Sequence, residues 1–319
     1  MTACGGQAVT QSGPSVAPTV HLTVSYSNVV PDNLPLWIAK EGGIFKAHGL
    51  DVDLQLINST TGMPALLSGQ TQFADIGGSE ALSAAAAGGD VVVLANLTPV
   101  APYVFYSQPA IPDVAGLKGK KVGITSPGGS ADIATQLALK QLKLDPARDV
   151  AIVNLGSVPN VTAGMLNGAV QASVAHPPES SQLVARGFHP LLDLAKQRIP
   201  FATTTVVAKK SYIAANKGVV QRYVDSVVQG IAREKKDRAL AVRVLEKYYK
   251  SQDATAMGDA YDYYAGEVVQ EPPYSNVQQF SASQSVLGQK SEAARAFDLS
   301  GLFDNSFARS AANRGLAKS

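Results

Sequence analysis

The sequence predicts an α/β protein of two lobes, each a mostly parallel sheet flanked by helices, joined by two hinge crossings. Three observations carry that expectation. At 319 residues the chain is longer than one hydrophobic core supports. Strand and helix patterns alternate in two separate blocks, the signature of parallel βαβ units. After residue 208 the pattern changes to long helical periodicity, a return over lobes already begun.

The first block opens with His21–Tyr26, where apolar residues alternate as in a strand. Leu34, Trp37, Ile38, Ile44 and Phe45 then share one helical face, with Pro35 in the first turn, where a missing N–H is harmless. Leu50–Leu56 alternates as a second strand. A short helix over Met63–Leu67 leads to a third strand at Phe73–Ile76 and another at Val91–Leu94. The second block begins near Pro112. It holds strands at Lys121–Thr125, Val150–Asn154 and Ala172–Ala175, with helices at Ser130–Leu142, Val161–Leu166 and Glu179–Ala185. Phe201–Ala208 is β-rich. Val219–Leu245 is helical, interrupted by the charged stretch Arg233–Arg238, and helices without new strands follow from Asp253.

The expected crossings lie at Ser107–Pro112 and Pro200–Thr205. They divide the chain into a tether at 1–19, a first lobe at 20–109 and 203–303, a second lobe at 110–202, and a tail at 304–319. Two crossings make a hinge, and the cleft between lobes is a natural ligand site.

Composition narrows the function. Hydrophobic residues make up 45% and charged residues 16%, which suits a large core, and the longest apolar runs are too short to cross a bilayer. Net charge is +2 with no basic stripe interleaved with aromatics, so nucleic acid is not an expected partner. Cys4 is the only cysteine, so neither a structural disulfide nor a thiolate metal cluster nor a core cysteine nucleophile is available. No metal, cofactor or catalytic residue is expected.

Two segments carry the strongest functional signal: Phe73–Glu80 and Lys121–Ser130 each run a strand into a glycine turn that opens a helix. A helix N-terminus leaves backbone N–H groups unpaired and partly positive, a receptor for an anion or a carbonyl oxygen. Gly78, Ser79 and Glu80 in one turn, and Ser126, Gly128, Gly129 and Ser130 in the other, are therefore candidate ligand contacts. Two such turns without a catalytic cluster favour binding over chemistry.

Further strings extend the pattern. Pro35–Phe45 followed by His48–Val52, Leu67–Asp75, Leu117–Gly123 and Ser126–Ser130 together resemble the solute-binding proteins of ABC importers for nitrate, sulfonates, taurine and thiamine precursors. The resemblance covers residues of about 20 to 210. It implies a type II periplasmic-binding fold, whose lobes close on a small molecule and present it to membrane permease subunits, with the protein a monomer. Mapped onto this chain, it adds Asn28, Asp32, Asn33, Tyr103, Ser157, Asn160 and His176 as ligand contacts. Thr2–Gly6 and the polar stretch to Thr19 resemble the end of a bacterial lipoprotein signal, which implies lipidation of Cys4 and an extracytoplasmic location.

Plainer roles compete for several of these residues. Asp32 and Asn33 are also good caps for the helix that Pro35 opens. Trp37 reads as core, and the tyrosines at 248, 249, 261, 263 and 264 read as packing or surface. Few cations lie in the strand-end loops, which leaves two ligand classes open: a small sulfonate or carboxylate held by N–H groups, or a pyrimidine- or flavin-like heterocycle. A cleft enzyme, either a lyase or a thiamine-pyrimidine synthase, is the main alternative, although that synthase branch relies on a cysteine-rich motif absent here. A ligand sensor for a kinase is the third.

Overall fold

The computed structural model describes residues 19–318, so Cys4 and nearly all of the expected tether lie outside the described residues. Ten strands form two five-stranded sheets. They are β1 (Val20–Tyr26), β2 (Leu50–Leu56), β3 (Phe73–Ile76), β4 (Val92–Asn96), β5 (Val104–Ser107), β6 (Lys120–Ile124), β7 (Val150–Asn154), β8 (Ala172–Ala175), β9 (His189–Asp193) and β10 (Thr205–Ala208). The first sheet has the order β2-β1-β3-β10-β4 and the second β7-β6-β8-β5-β9.

The two-lobed α/β architecture is the expected one, with a particular device at each crossing. β10 arrives from the second lobe and inserts between β3 and β4, antiparallel to both. β5 arrives from the first lobe and inserts between β8 and β9, again antiparallel to both. β1, β2 and β3 pair in parallel, as do β6, β7 and β8. Each sheet is thus mixed, because the strand that changes lobes must enter from the opposite end.

β5 moves the first boundary. The expected crossing at Ser107–Pro112 lies after a strand that already belongs to the second sheet, so the chain passes between lobes at residues 97–103. The return runs through residues 194–204. The two passages lie antiparallel and bonded: Leu97 N–H donates to the Thr204 carbonyl at 3.0 Å, Thr204 N–H to Thr98 Oγ1 at 2.8 Å, and Ala101 N–H to the Ile199 carbonyl at 3.0 Å. These backbone groups of the hinge are thereby paired within the hinge itself.

The first lobe is held by helix Lys217–Lys236, whose buried Val220, Tyr223, Val224, Val227, Val228 and Ile231 recur at three- and four-residue steps. This stripe packs on helix Leu34–Glu41, and the backbones meet closely: a Cβ on Gly230 would lie 2.3 Å from the Pro35 carbonyl oxygen. Each fully buried aliphatic side chain contributes about 1.5–3 kcal/mol. Trp37 is buried in this core and stacks on Tyr248 at 4.3 Å between ring centroids. The expected tail is instead structural: helix Ser306–Asn313 buries Phe307, Ala308 and Ala311, and Arg314 Nη1 donates to Asp225 Oδ2 at 2.7 Å.

Candidate functional site

Between the two sheets lies a cavity of about 80 Å³ lined from both lobes. Two glycine corners form its facing walls. After β3, Gly77 caps helix Gly78–Ala86 in an extended conformation, and Glu80 stands at the third helical position. After β6, Gly129 caps helix Ser130–Gln141, and Asp132 stands at the equivalent position. Acids at these positions complement the helix dipole. Helix Val277–Leu287 packs against both helices and spans the two lobes behind the corners.

The first corner sends its acid into the cavity. Glu80 Oε2 accepts from the Ser79 hydroxyl at 2.6 Å, and a Cβ on Gly77 would fall 2.1 Å from that same oxygen. A side chain at Gly77 would displace this carboxylate. Glu80 Oε1 reaches toward the opposite corner, 3.8 Å from where a Gly129 Cβ would be. The second corner keeps its acid at home: Asp132 Oδ2 accepts from Gly128 N–H at 2.8 Å, and Gly128 holds φ +75°, the left-handed region that favours glycine. That leaves Ser126 and Ser130 on the cavity wall, with Ser130 Oγ donating to the Thr203 carbonyl at 3.3 Å.

A third group closes the cavity. Asp32, in the turn Pro31–Asn33 after β1, is 1% exposed. Its Oδ2 accepts from the Tyr264 hydroxyl at 2.8 Å, while Oδ1 is buried without a partner. His176 follows β8, and its Nδ1 donates to the Pro177 carbonyl at 3.0 Å and lies 3.5 Å from Glu179 Oε2. The His176 ring packs between Tyr103 and Tyr264, at 5.7 and 6.0 Å between centroids.

Burial sets the electrostatics. It raises the Asp32 carboxyl above its ordinary range, against the opposing pull of His176 and the Tyr264 hydrogen bond. Burial likewise raises Glu80, opposed by the Ser79 hydroxyl, and raises Glu179, opposed by His176. Tyr103 and Tyr264 are pushed well up by burial and then by Asp32. Both phenols therefore stay protonated and able to donate.

Of the residues singled out in the sequence, Asn28, Asp32, Glu80, Tyr103, Ser126, Gly129, Ser130 and His176 all line this one cavity. The others do not, and each has a local task. Asn33 is buried and donates through Nδ2 to the Asn28 carbonyl. Gly78 lies under Ala202, where a Cβ would come within 2.6 Å. Ser79 holds Glu80, and Gly128 makes the turn. Ser157 caps helix Val158–Asn167 by accepting from Asn160 N–H, while Asn160 Nδ2 donates to the Leu155 carbonyl. Ser59, Gly77, Thr203 and Thr204 line the cavity without having been singled out as contacts, and Glu179 lines it beside His176. Tyr264, read from sequence as packing or surface, is buried and bonded to Asp32. Its signal was the acid it pairs with, 232 residues away in the chain.

Among the described residues no group of three or more His, Cys, Asp or Glu is placed to hold a metal ion, and no helix is long and apolar enough to cross a membrane. The family model described as NMT1/THI5 like matches residues 30–237. The chain belongs to that family. The match runs from the Asp32 turn through both glycine corners and His176 into helix Lys217–Lys236, and so covers most of the cavity wall. Among curated relatives, YtlA of Bacillus subtilis, whose name gives it a provisional binding role, is 25% identical over 60% of this chain and 60% of its own. The chain spans about 60% of the length of the curated relatives it matches. In three dimensions this family member is similar to the periplasmic aliphatic sulphonate binding protein SsuA of Escherichia coli, with a TM-score of 0.69 at 20% identity over 86% of this chain and 88% of that one. It is also similar to the desulfurization enzyme DSZB, with a TM-score of 0.70 at 18% identity over 92% and 99%. The fold is that of the periplasmic binding proteins, and the same fold carries a catalyst.

Proposed function

We propose that this protein is the extracytoplasmic solute-binding component of an ABC importer. It captures a small organic molecule between its lobes and delivers it to membrane permease subunits, acting as a monomer anchored through a lipid on Cys4. One observation carries the reading: a cavity of about 80 Å³ walled by polar side chains from both lobes, with the hinge as the direct covalent link between them. Small-molecule sites favour such positions between domains. The family match and the named binding protein SsuA support it.

Within this reading the ligand touches Asn28, Asp32, Glu80, Tyr103, Ser126, Gly129, Ser130 and His176, and nothing in the cavity acts on it chemically. Opening works through the hydrogen-bonded passages at 97–103 and 194–204, so the moving bodies are residues of the first sheet and of the second. The test is native mass spectrometry of the protein as purified, followed by incubation of the released compound with fresh protein. A retained small molecule recovered unchanged is the expected result. Conversion of that compound would replace the transport reading with an enzymatic one.

A further inference from the structure

The cavity has a sign. Asp32 and Glu80 enter it from the first lobe and Glu179 from the second; among the described residues no lysine or arginine lines it, and His176 is the basic side chain that does. Asp32 is 1% exposed, and its Oδ1 has no hydrogen-bond partner. Thr203 Oγ1 is buried without a hydrogen-bond partner as well, and Glu179 Oε2, also buried, has only His176 Nδ1 nearby, at 3.5 Å. Buried acceptors of this kind are costly unless something donates to them. Both helix N-termini carry a resident acid, one with its oxygen on Gly128 N–H and the other on the Ser79 hydroxyl. A sulfonate or carboxylate seated at either corner would also lie beside Glu80.

Resting on the solute-binding reading above, we propose that the cleft selects a small organic cation, held through the N–H donors of an ammonium or amidinium group by Asp32, Glu80 and Glu179. Hydrogen bonds between charged partners are the strong ones, and exclusion of water by the closed lobes strengthens them. Tyr103 adds an aromatic face at the cavity wall, beside His176, which suits a cation further.

Two pairs of probes isolate charge from shape: acetamidine against acetate, and benzamidine against benzoate, each measured by calorimetry on the full chain. In at least one pair the amidine binds tenfold or more tightly than its carboxylate. Asp32→Asn, which can still accept from Tyr264, weakens that binding at least tenfold, and Glu80→Gln does so should the first variant fail to fold. Tighter binding of a carboxylate, or amidine binding that neither variant alters, overturns the proposal. If neither pair binds while an anionic or neutral compound is retained by the purified protein, the charge assignment fails and the solute-binding reading stands. If nothing binds and nothing is retained, both fail.

Discussion

Gly77–Glu80 and Gly129–Asp132 are two versions of one construction. Each follows a strand, caps a helix with an extended glycine, and places an acid at the third helical position. They differ in where that acid goes. Glu80 turns out over the cavity, and Asp132 turns back onto its own Gly128. Glu80 keeps Oε2 over its own turn, on the Ser79 hydroxyl, and sends Oε1 toward the opposite corner, whereas Asp132 spends both oxygens on Gly128 and Gln136. Local sequence thus sets the anchor in both lobes, but only the first corner contributes charge to the site. The second contributes hydroxyls.

The contrast breaks most sharply at Gly77. Gly77→Ala puts a methyl 2.1 Å from Glu80 Oε2 and 2.9 Å from Ser130 Oγ, so the carboxylate must leave its place. Both atoms are the far ends of side chains that can turn away, so folding stability changes by less than about 1 kcal/mol. Ligand affinity, measured by calorimetry with whichever compound the purified protein retains, falls more than tenfold. Wild-type affinity in this variant would mean that Glu80 takes no part. Asp132→Ala tests the other corner. Removing a charged acceptor from Gly128 N–H lowers stability by about 1.5–3 kcal/mol in urea unfolding, with a smaller effect on affinity, because Asp132 is not on the cavity wall. Unchanged stability would show that the turn holds without it.

Sequence made the corners visible because their signals are local: glycines, serines and an acid within a few residues. His176 came instead from the family resemblance, which places it at the end of the strand Ala172–Ala175. The pairing of Asp32 with Tyr264 was not, since neither residue looks unusual in its own neighbourhood and contact between them depends on the helical return. β5 was hidden for another reason. Val104–Ser107 is buried throughout, so no alternation marks it as a strand, and the crossing before it was placed after it. β9, half-buried at a sheet edge, contains Pro190 and lacked a strand signature. Ser157 and Asn160 misled in the opposite direction, because a cap and a ligand-binding turn use the same residue types.

Protonation probes the first corner. Burial raises the Glu80 carboxyl in the folded chain, so its contribution to stability is fully present below the ordinary glutamate value and is lost as pH rises through the raised one. Ligand-free protein should therefore lose stability across that window, by no more than about 1.4 kcal/mol per pH unit from this group. Melting temperatures recorded from pH 4 upward, in steps of about one unit chosen to bracket carboxylate titration, should flatten in Glu80→Gln. An unaltered profile would assign the dependence to other buried acids.

The smallest effect is expected at Gly129. Its φ of −79° is open to any residue, and a Cβ would be too close only to the Ser126 hydroxyl, at 2.7 Å, with the Ser126 carbonyl oxygen at 3.4 Å. A single hydroxyl can rotate away, so Gly129→Ala should change folding stability by less than about 1 kcal/mol. The same rotation moves one of the two hydroxyls that this corner contributes to the cavity, and the new methyl stands 3.8 Å from Glu80 Oε1. Affinity should fall several-fold while the melting temperature of the free protein stays nearly unchanged. Equal losses in both would return this corner to a purely structural role and leave Glu80, Asp32 and Glu179 as the whole of the recognition surface.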